Sequence, residues 1–273
     1  MSKALGALLG VLTAIGGFIE IGDLVFLGQA GAQFGYALLW AIPLGILGIG
    51  VFAEMSGRVA ATSGRPVFDL VRERLGFGVG LITLIAGQAM TLLTLAAEIG
   101  GVAIVLQLLF DLPNQLLILG AGVAFLVLIW VLPFEWIERV FSLPGLCLLV
   151  FVVAAIDLDP DWTAVGNGFV PNWDAGDPML YAYYFVGIVA ATFMPYEIYF
   201  YSSGGVEEGW SRPHLRLNRL TVVFGWGLGA VLATAILITA AQVFEPRGIE
   251  PELLARSRSA RRSRSVRRGC CSC

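Results

Sequence analysis

An all-α, multi-pass membrane fold is predicted by three features of this sequence. The 273 residues are 58% hydrophobic and only 14% charged, with a mean hydropathy of +0.82, whereas a soluble domain carries about 25% charge. The apolar residues gather into segments close to the ~20 residues that a helix needs to cross the hydrocarbon core. The 34 glycines suit helices that approach closely and that break where a cavity supplies partners. Three of the four cysteines sit at the extreme C-terminus, so no disulfide framework is predicted, and Cys147 is expected as a small core residue.

Seven spans are predicted, near residues 4–34, 36–57, 79–109, 115–133, 140–156, 180–203 and 219–244. The apolar stretch after Lys3 is read as a retained first span, because no small-residue cleavage site follows it. Lys3, Arg58, Arg65, Arg72, Arg74, Arg139, Arg212, Arg216 and Arg219 fall at the N-terminus or in the loops after spans 2, 4 and 6. Positive residues mark the cytoplasmic side, which puts the N-terminus there. The loop after span 5, DLDPDWTAVGNGFVPNWDAGDP, carries five aspartates and is expected outside.

The transmembrane domain is assigned to residues 1–250. After Leu254 the composition changes to ARSRSARRSRSVRRGCCSC, with seven arginines and three cysteines. Such a run resembles a nucleic-acid or lipid-binding tail in composition, but an odd number of spans places it outside. It is read as a non-native, disordered end at 255–273 without function, and no nucleic-acid partner is expected.

Two spans are interrupted. Span 1 carries Glu20 and Asp23 with Gly16, Gly17 and Gly22 around them. An ionised side chain near the bilayer centre costs roughly 2.5–3.5 kcal/mol on insertion scales, so an acidic pair there points to a cation. Glycines weaken the helix, and unwinding would turn backbone carbonyls toward the ion. A continuous helix whose acids pair with polar groups elsewhere is the alternative. Span 6 carries Met194-Pro195-Tyr196-Glu197; proline lacks an N–H and clashes with the preceding turn, so a break is predicted between Ala191 and Pro195. Met194 taken alone reads as core packing; beside a break with an acid three residues on, it reads equally as a ligand. The two interrupted spans lie five helices apart, the pattern of transporters built from inverted five-helix repeats, whose site sits between two discontinuous helices.

These residues resemble the Nramp family of divalent-metal transporters. IGDLVFLGQAGAQFGYALLW is similar to that family's first span, which reads DPGN, a short stretch, then QAGAQFGY-LLW; MPYEIYFYS is similar to its MPH-NIYLHS. TLAAEIGGVAIVLQLLF at 94–110 and SGR at 63–65 add to the likeness, which covers roughly residues 10–250. The resemblance implies a leucine-transporter-like inverted-repeat 5+5 fold, of which about seven helices are present and the second repeat is incomplete. It implies metal ligands at Glu20 and Asp23, in the places of the DPGN aspartate and asparagine, at Met194, and at the Ala191 carbonyl. Glu197 joins them on its own position beside the break, and Glu98 is a candidate ion or proton route.

The departures carry information. Leu95 stands where the family has a proton-accepting aspartate, and Tyr196 and Tyr201 stand where it has histidines, so the usual proton path is absent. The lone histidine, His214, is expected to be solvated in a cytoplasmic loop. A thioether beside carboxylates favours Mn²⁺ or Fe²⁺ over Ca²⁺ and Mg²⁺, whereas three carboxylates shift the site toward harder ions, so Mg²⁺ with retained waters stays open.

The function expected is transport of a divalent metal cation by alternating access in the plasma membrane of a bacterium, with the metal as substrate and no cofactor. Spans 1, 2, 6 and 7 are expected to move against spans 3 to 5. Two other readings stay open: an amino-acid or amine permease of the same architecture, and a non-transporting fragment. No zinc pattern, phosphate loop or nucleophile elbow is present, and an enzyme is not predicted. Glu54 is expected to pair or snorkel near the inner end of span 2, with route lining as the alternative, and Trp136–Val140 and Arg72–Gly76 read as interfacial anchors.

Overall fold

A computed structural model describes residues 20–110, 112–132, 146–173 and 176–248. The predictions for Lys3, Gly16, Gly17, Trp136–Val140 and the 255–273 tail fall outside the described residues.

The first described helix, α1, spans Ile21–Phe34. It ends at Gly35, whose φ of 53° lies in the left-handed region open to glycine. Two tight turns, Ala37 N–H to the Phe34 carbonyl and Leu39 N–H to the Tyr36 carbonyl, lead into α2, Ala41–Ser63. This helix starts five residues later than the predicted span and runs six residues further. The Glu54–Arg58 pair, one turn apart at 2.6 Å, supports that extra length beyond the apolar segment. Gly64 closes α2 in the left-handed conformation, donating to the Ala60 carbonyl.

A short amphipathic helix follows Pro66, α3 at Val67–Leu75, pinned by the Arg65–Glu73 ion pair. Helix α4, Phe77–Phe110, has 34 residues and so measures about 51 Å, which exceeds the ~30 Å hydrocarbon core and requires tilt or protrusion. Pro113 then starts α5, Asn114–Val131. The described end of span 5 is α6, Leu149–Asp157, preceded by a 3₁₀ turn over Leu146–Leu148.

The acidic loop contains a helix that hydropathy alone does not suggest, α7 at Trp162–Gly168, capped by the Asp161 carboxylate on the Thr163 N–H at 2.9 Å. Span 6 is two helices. Asp177 caps α8, Pro178–Thr192, and α9 runs over Pro195–Glu207. The last is α10, Leu215–Phe244. The described residues contain no strand.

Helix α10 is the central element, with 56% of its most apolar window buried, whereas that of α4 is only 6% buried. Apolar surface has little drive to associate inside lipid, so close packing of small residues does the joining. At Gly31 of α1 a Cβ would stand 2.6 Å from the Leu237 carbonyl of α10, so only glycine permits this crossing. Gly45 and Gly48 of α2 receive Thr192 and Phe193, the residues that end α8. The core fills the space between α1, α2, α8 and α10 with Leu27, Leu38, Ile42, Tyr181, Ile188 and Leu237.

Helices α3, α4 and α5 form a second group that meets the first mainly through α1 and α9. Two expectations are corrected here. The described part of span 5 packs chiefly on α10, where Thr239 donates to the Phe151 carbonyl at 3.3 Å, so it sides with the central bundle rather than with α4 and α5. Cys147, in the 3₁₀ turn at Leu146–Leu148, is exposed and not a core residue.

Candidate metal centre

The second interrupted span breaks where the sequence predicts, and the described half of the first starts in the same way. Glu20 is extended (φ −95°, ψ 168°) and serves as N-cap of α1; Met194 is extended (φ −87°, ψ 115°) and serves as N-cap of α9. Each helix carries an acid at its third position, Asp23 in α1 and Glu197 in α9. A carboxylate in the first turn offsets the positive end of the helix dipole. Gly22 lies within the first turn of α1.

The N-terminus of α1 is closed by its own acids. Glu20 and Asp23 form a reciprocal capping box, in which the Glu20 N–H donates to the Asp23 carboxylate at 3.3 Å. Asp23 is 6% exposed and Glu20 half-buried. A carboxylate has about four lone-pair sites, so each acid can cap the helix and face an ion at once. The spacing Glu-x-x-Asp is the signal for such a box, one the transport motif obscures.

At the second break, the Ala191 carbonyl would normally accept from residue 195, which is a proline with no N–H. Covalent chemistry therefore leaves that acceptor without its helical partner. The Phe193 N–H bonds back to Ala190 and the Glu197 N–H to Met194, which turns the chain between the two half-helices. Met194, Ala191 and Glu197 are all half-buried.

Glu197 lies within Coulombic reach of Glu20 and Asp23, and Glu98 of α4 lies within reach of the same two. The structure therefore gathers the acids of both breaks into one electrostatic neighbourhood. Among the described residues, no three histidine, cysteine or acidic side chains form a closed metal cage. The predicted donor set also includes a thioether and a backbone carbonyl.

Glu98 does something the sequence does not reveal. Its Oε1 accepts the Ile21 N–H at 2.8 Å, across 77 residues of chain. Leu95, one turn earlier on α4, is half-buried and apolar. Tyr201 is hydrogen-bonded to Asn218 of α10, its hydroxyl donating to Oδ1 at 2.8 Å. The Asn218 amide donates in turn to the Glu54 carbonyl of α2 at 3.1 Å. Glu54 itself is paired with Arg58 at 2.6 Å and Arg219 at 3.4 Å, the pairing role expected of it. His214 accepts the Ser211 N–H at 3.1 Å in a capping turn, so it shapes a loop rather than simply meeting solvent.

The family model for natural resistance-associated macrophage protein-like (Nramp) proteins matches residues 10–259. The chain belongs to the Nramp family. The divalent metal cation transporter MntH of Deinococcus radiodurans is 34% identical over 237 residues, covering 81% of this chain and 52% of the relative. The transporter of the same name from Staphylococcus aureus is 32% identical over 209 residues, covering 74% and 46%. The crystal structure of a manganese transporter from Eremococcus coleocola, in complex with an aromatic bis-isothiourea substituted compound, superposes with a TM-score of 0.70. That match is 23% identical and covers 89% of this chain and 53% of that one. The fold is thus the leucine-transporter-like fold of Nramp proteins, and the chain spans about half the length of the relatives it matches.

Proposed function

We propose that this Nramp chain carries a divalent-cation site between α1 and the α8–α9 break, and that it moves transition-metal ions across the bilayer by alternating access. The observation that carries the reading is the likeness of the two helix starts, each with an extended N-cap and an acid at the third helical position, with Glu197 within Coulombic reach of Glu20 and Asp23. Glu20, Asp23 and Glu197 would bind through carboxylate oxygens, Met194 through its thioether and Ala191 through its carbonyl. The thioether favours Mn²⁺ and Fe²⁺; Asp23 and Glu197 add hard anionic oxygens that make Mg²⁺ a competitor.

The ion would enter and leave as the α1, α2, α8, α9 and α10 bundle rocks against α4 and α5. The bilayer is that of a bacterial plasma membrane, with the N-terminus in the cytoplasm and Asp159 outside. With Leu95, Tyr196 and Tyr201 in place of proton carriers, any proton coupling would run through the site's own carboxylates or Glu98.

Manganese uptake into proteoliposomes containing the 273-residue chain tests the reading. Uptake above empty vesicles, reduced by excess Fe²⁺ and insensitive to organic amines, is the expected result. Competition by amines with no effect of Fe²⁺ would support an amine permease instead.

A further inference from the structure

Ile21 is the first residue of α1 and lies between the candidate ligands Glu20 and Asp23, and two groups on one face of α4 hold it. The Glu98 carboxylate accepts its N–H at 2.8 Å. That N–H is one of the orphan donors at a helix start, and no residue of its own helix can accept it. Three residues on, and so on the same face of α4, Gly101 leaves room for the Ile21 side chain. A Cβ at Gly101 would collide with Ile21 Cδ1 and stand 3.2 Å from both Cγ1 and Cγ2.

We propose that Glu98 and Gly101 are positioning residues, a clasp on α4 that fixes the first residue of α1 and thereby aims the Glu20 and Asp23 carboxylates at the ion. The inference rests on the metal-site reading above and names what orients its first half. Glu20 precedes Ile21 directly and Asp23 follows two residues later, so a turn of one residue, about 100° of helix, would swing both acids away. The contact also joins the central bundle to the α3–α5 group at the site itself. At this position the DPGN pattern has proline, which has no N–H to satisfy and fixes the first turn by its ring. Isoleucine lacks that constraint, and Glu98 supplies it from outside the helix.

The test is a variant cycle on the full chain, read by isothermal titration with Mn²⁺. Glu98→Ala should weaken binding by about fivefold to tenfold, the scale of a lost helix cap. Glu98→Gln keeps the acceptor oxygen without the charge and should bind within about twofold of wild type, while Gly101→Val should weaken binding and Ile21→Ala in that background should restore it. In an Ile21→Pro background, where the donor is gone and the preceding extended Glu20 already suits a proline, Glu98→Ala should change nothing. Loss in Glu98→Gln equal to that in Glu98→Ala would show that Glu98 acts by charge and would overturn the clasp, as would an undiminished effect of Glu98→Ala in the proline background. The same cycle read by thermal unfolding of the ion-free chain tests the clasp without metal. If Glu20→Ala leaves Mn²⁺ affinity unchanged while that thermal cycle behaves as described, the metal reading fails and the clasp stands.

Discussion

Asn218 has no exposed surface, yet both polar atoms of its side chain are partnered, the oxygen accepting from Tyr201 on α9 and the nitrogen donating to the Glu54 carbonyl on α2. Gly57 makes this possible, since a Cβ there would strike both Asn218 and Tyr201. One amide thus ties three helices of the bundle. Removing one partner of a buried hydrogen bond leaves the other unsatisfied, at a cost of about 1–3 kcal/mol. Asn218→Ala should therefore lower the stability of the detergent-solubilised chain by that amount, measured by thermal unfolding, and Tyr201→Phe should lower it by less. At this scale the acids were legible because charge in an apolar span is expensive. Asn218, at the polar edge of its span, sends no such signal, and neither does Gly101, one small residue among many. The roles of Glu98 and Tyr201 were not legible either, since their partners lie far away in sequence.

At the scale of elements, the break in span 6 is a consequence of one proline. With alanine at 195, the residue 195 N–H could reach the Ala191 carbonyl and α8 could run on into α9. Pro195→Ala should raise helicity by circular dichroism and weaken Mn²⁺ binding by about tenfold, or ~1.4 kcal/mol, because it both consumes a ligand carbonyl and turns Met194 and Glu197. Unchanged affinity would remove the Ala191 carbonyl from the site. Spans 2, 3, 4, 6 and 7, whose helices lie within the described residues, were legible in hydropathy, and Pro195 marked its break to within two residues. Helix ends were less so. Local chemistry outside the apolar pattern sets them, such as Asp161 starting α7, the Glu54–Arg58 pair prolonging α2, and Glu20 with Asp23 capping the start of α1.

Across the whole molecule, glycine crossings such as Gly31 on Leu237 hold α1, α2, α8, α9 and α10 as one bundle, while α4 and α5 keep most of their apolar surface outward. The five-helix spacing of the two interruptions indicated that they would face one another, and the fold brings their acids into mutual reach. The side taken by α6 was not legible, because an apolar helix reads the same whichever neighbour it meets. The central claim is that the two breaks make a single site rather than two separate weak spots. Isothermal titration of Mn²⁺ into the chain and into its Asp23→Ala and Glu197→Ala variants tests this most directly. One ion per chain, with affinity lowered at least about tenfold by either substitution, is the result predicted; unchanged affinity in either variant would contradict a site shared between the two helices.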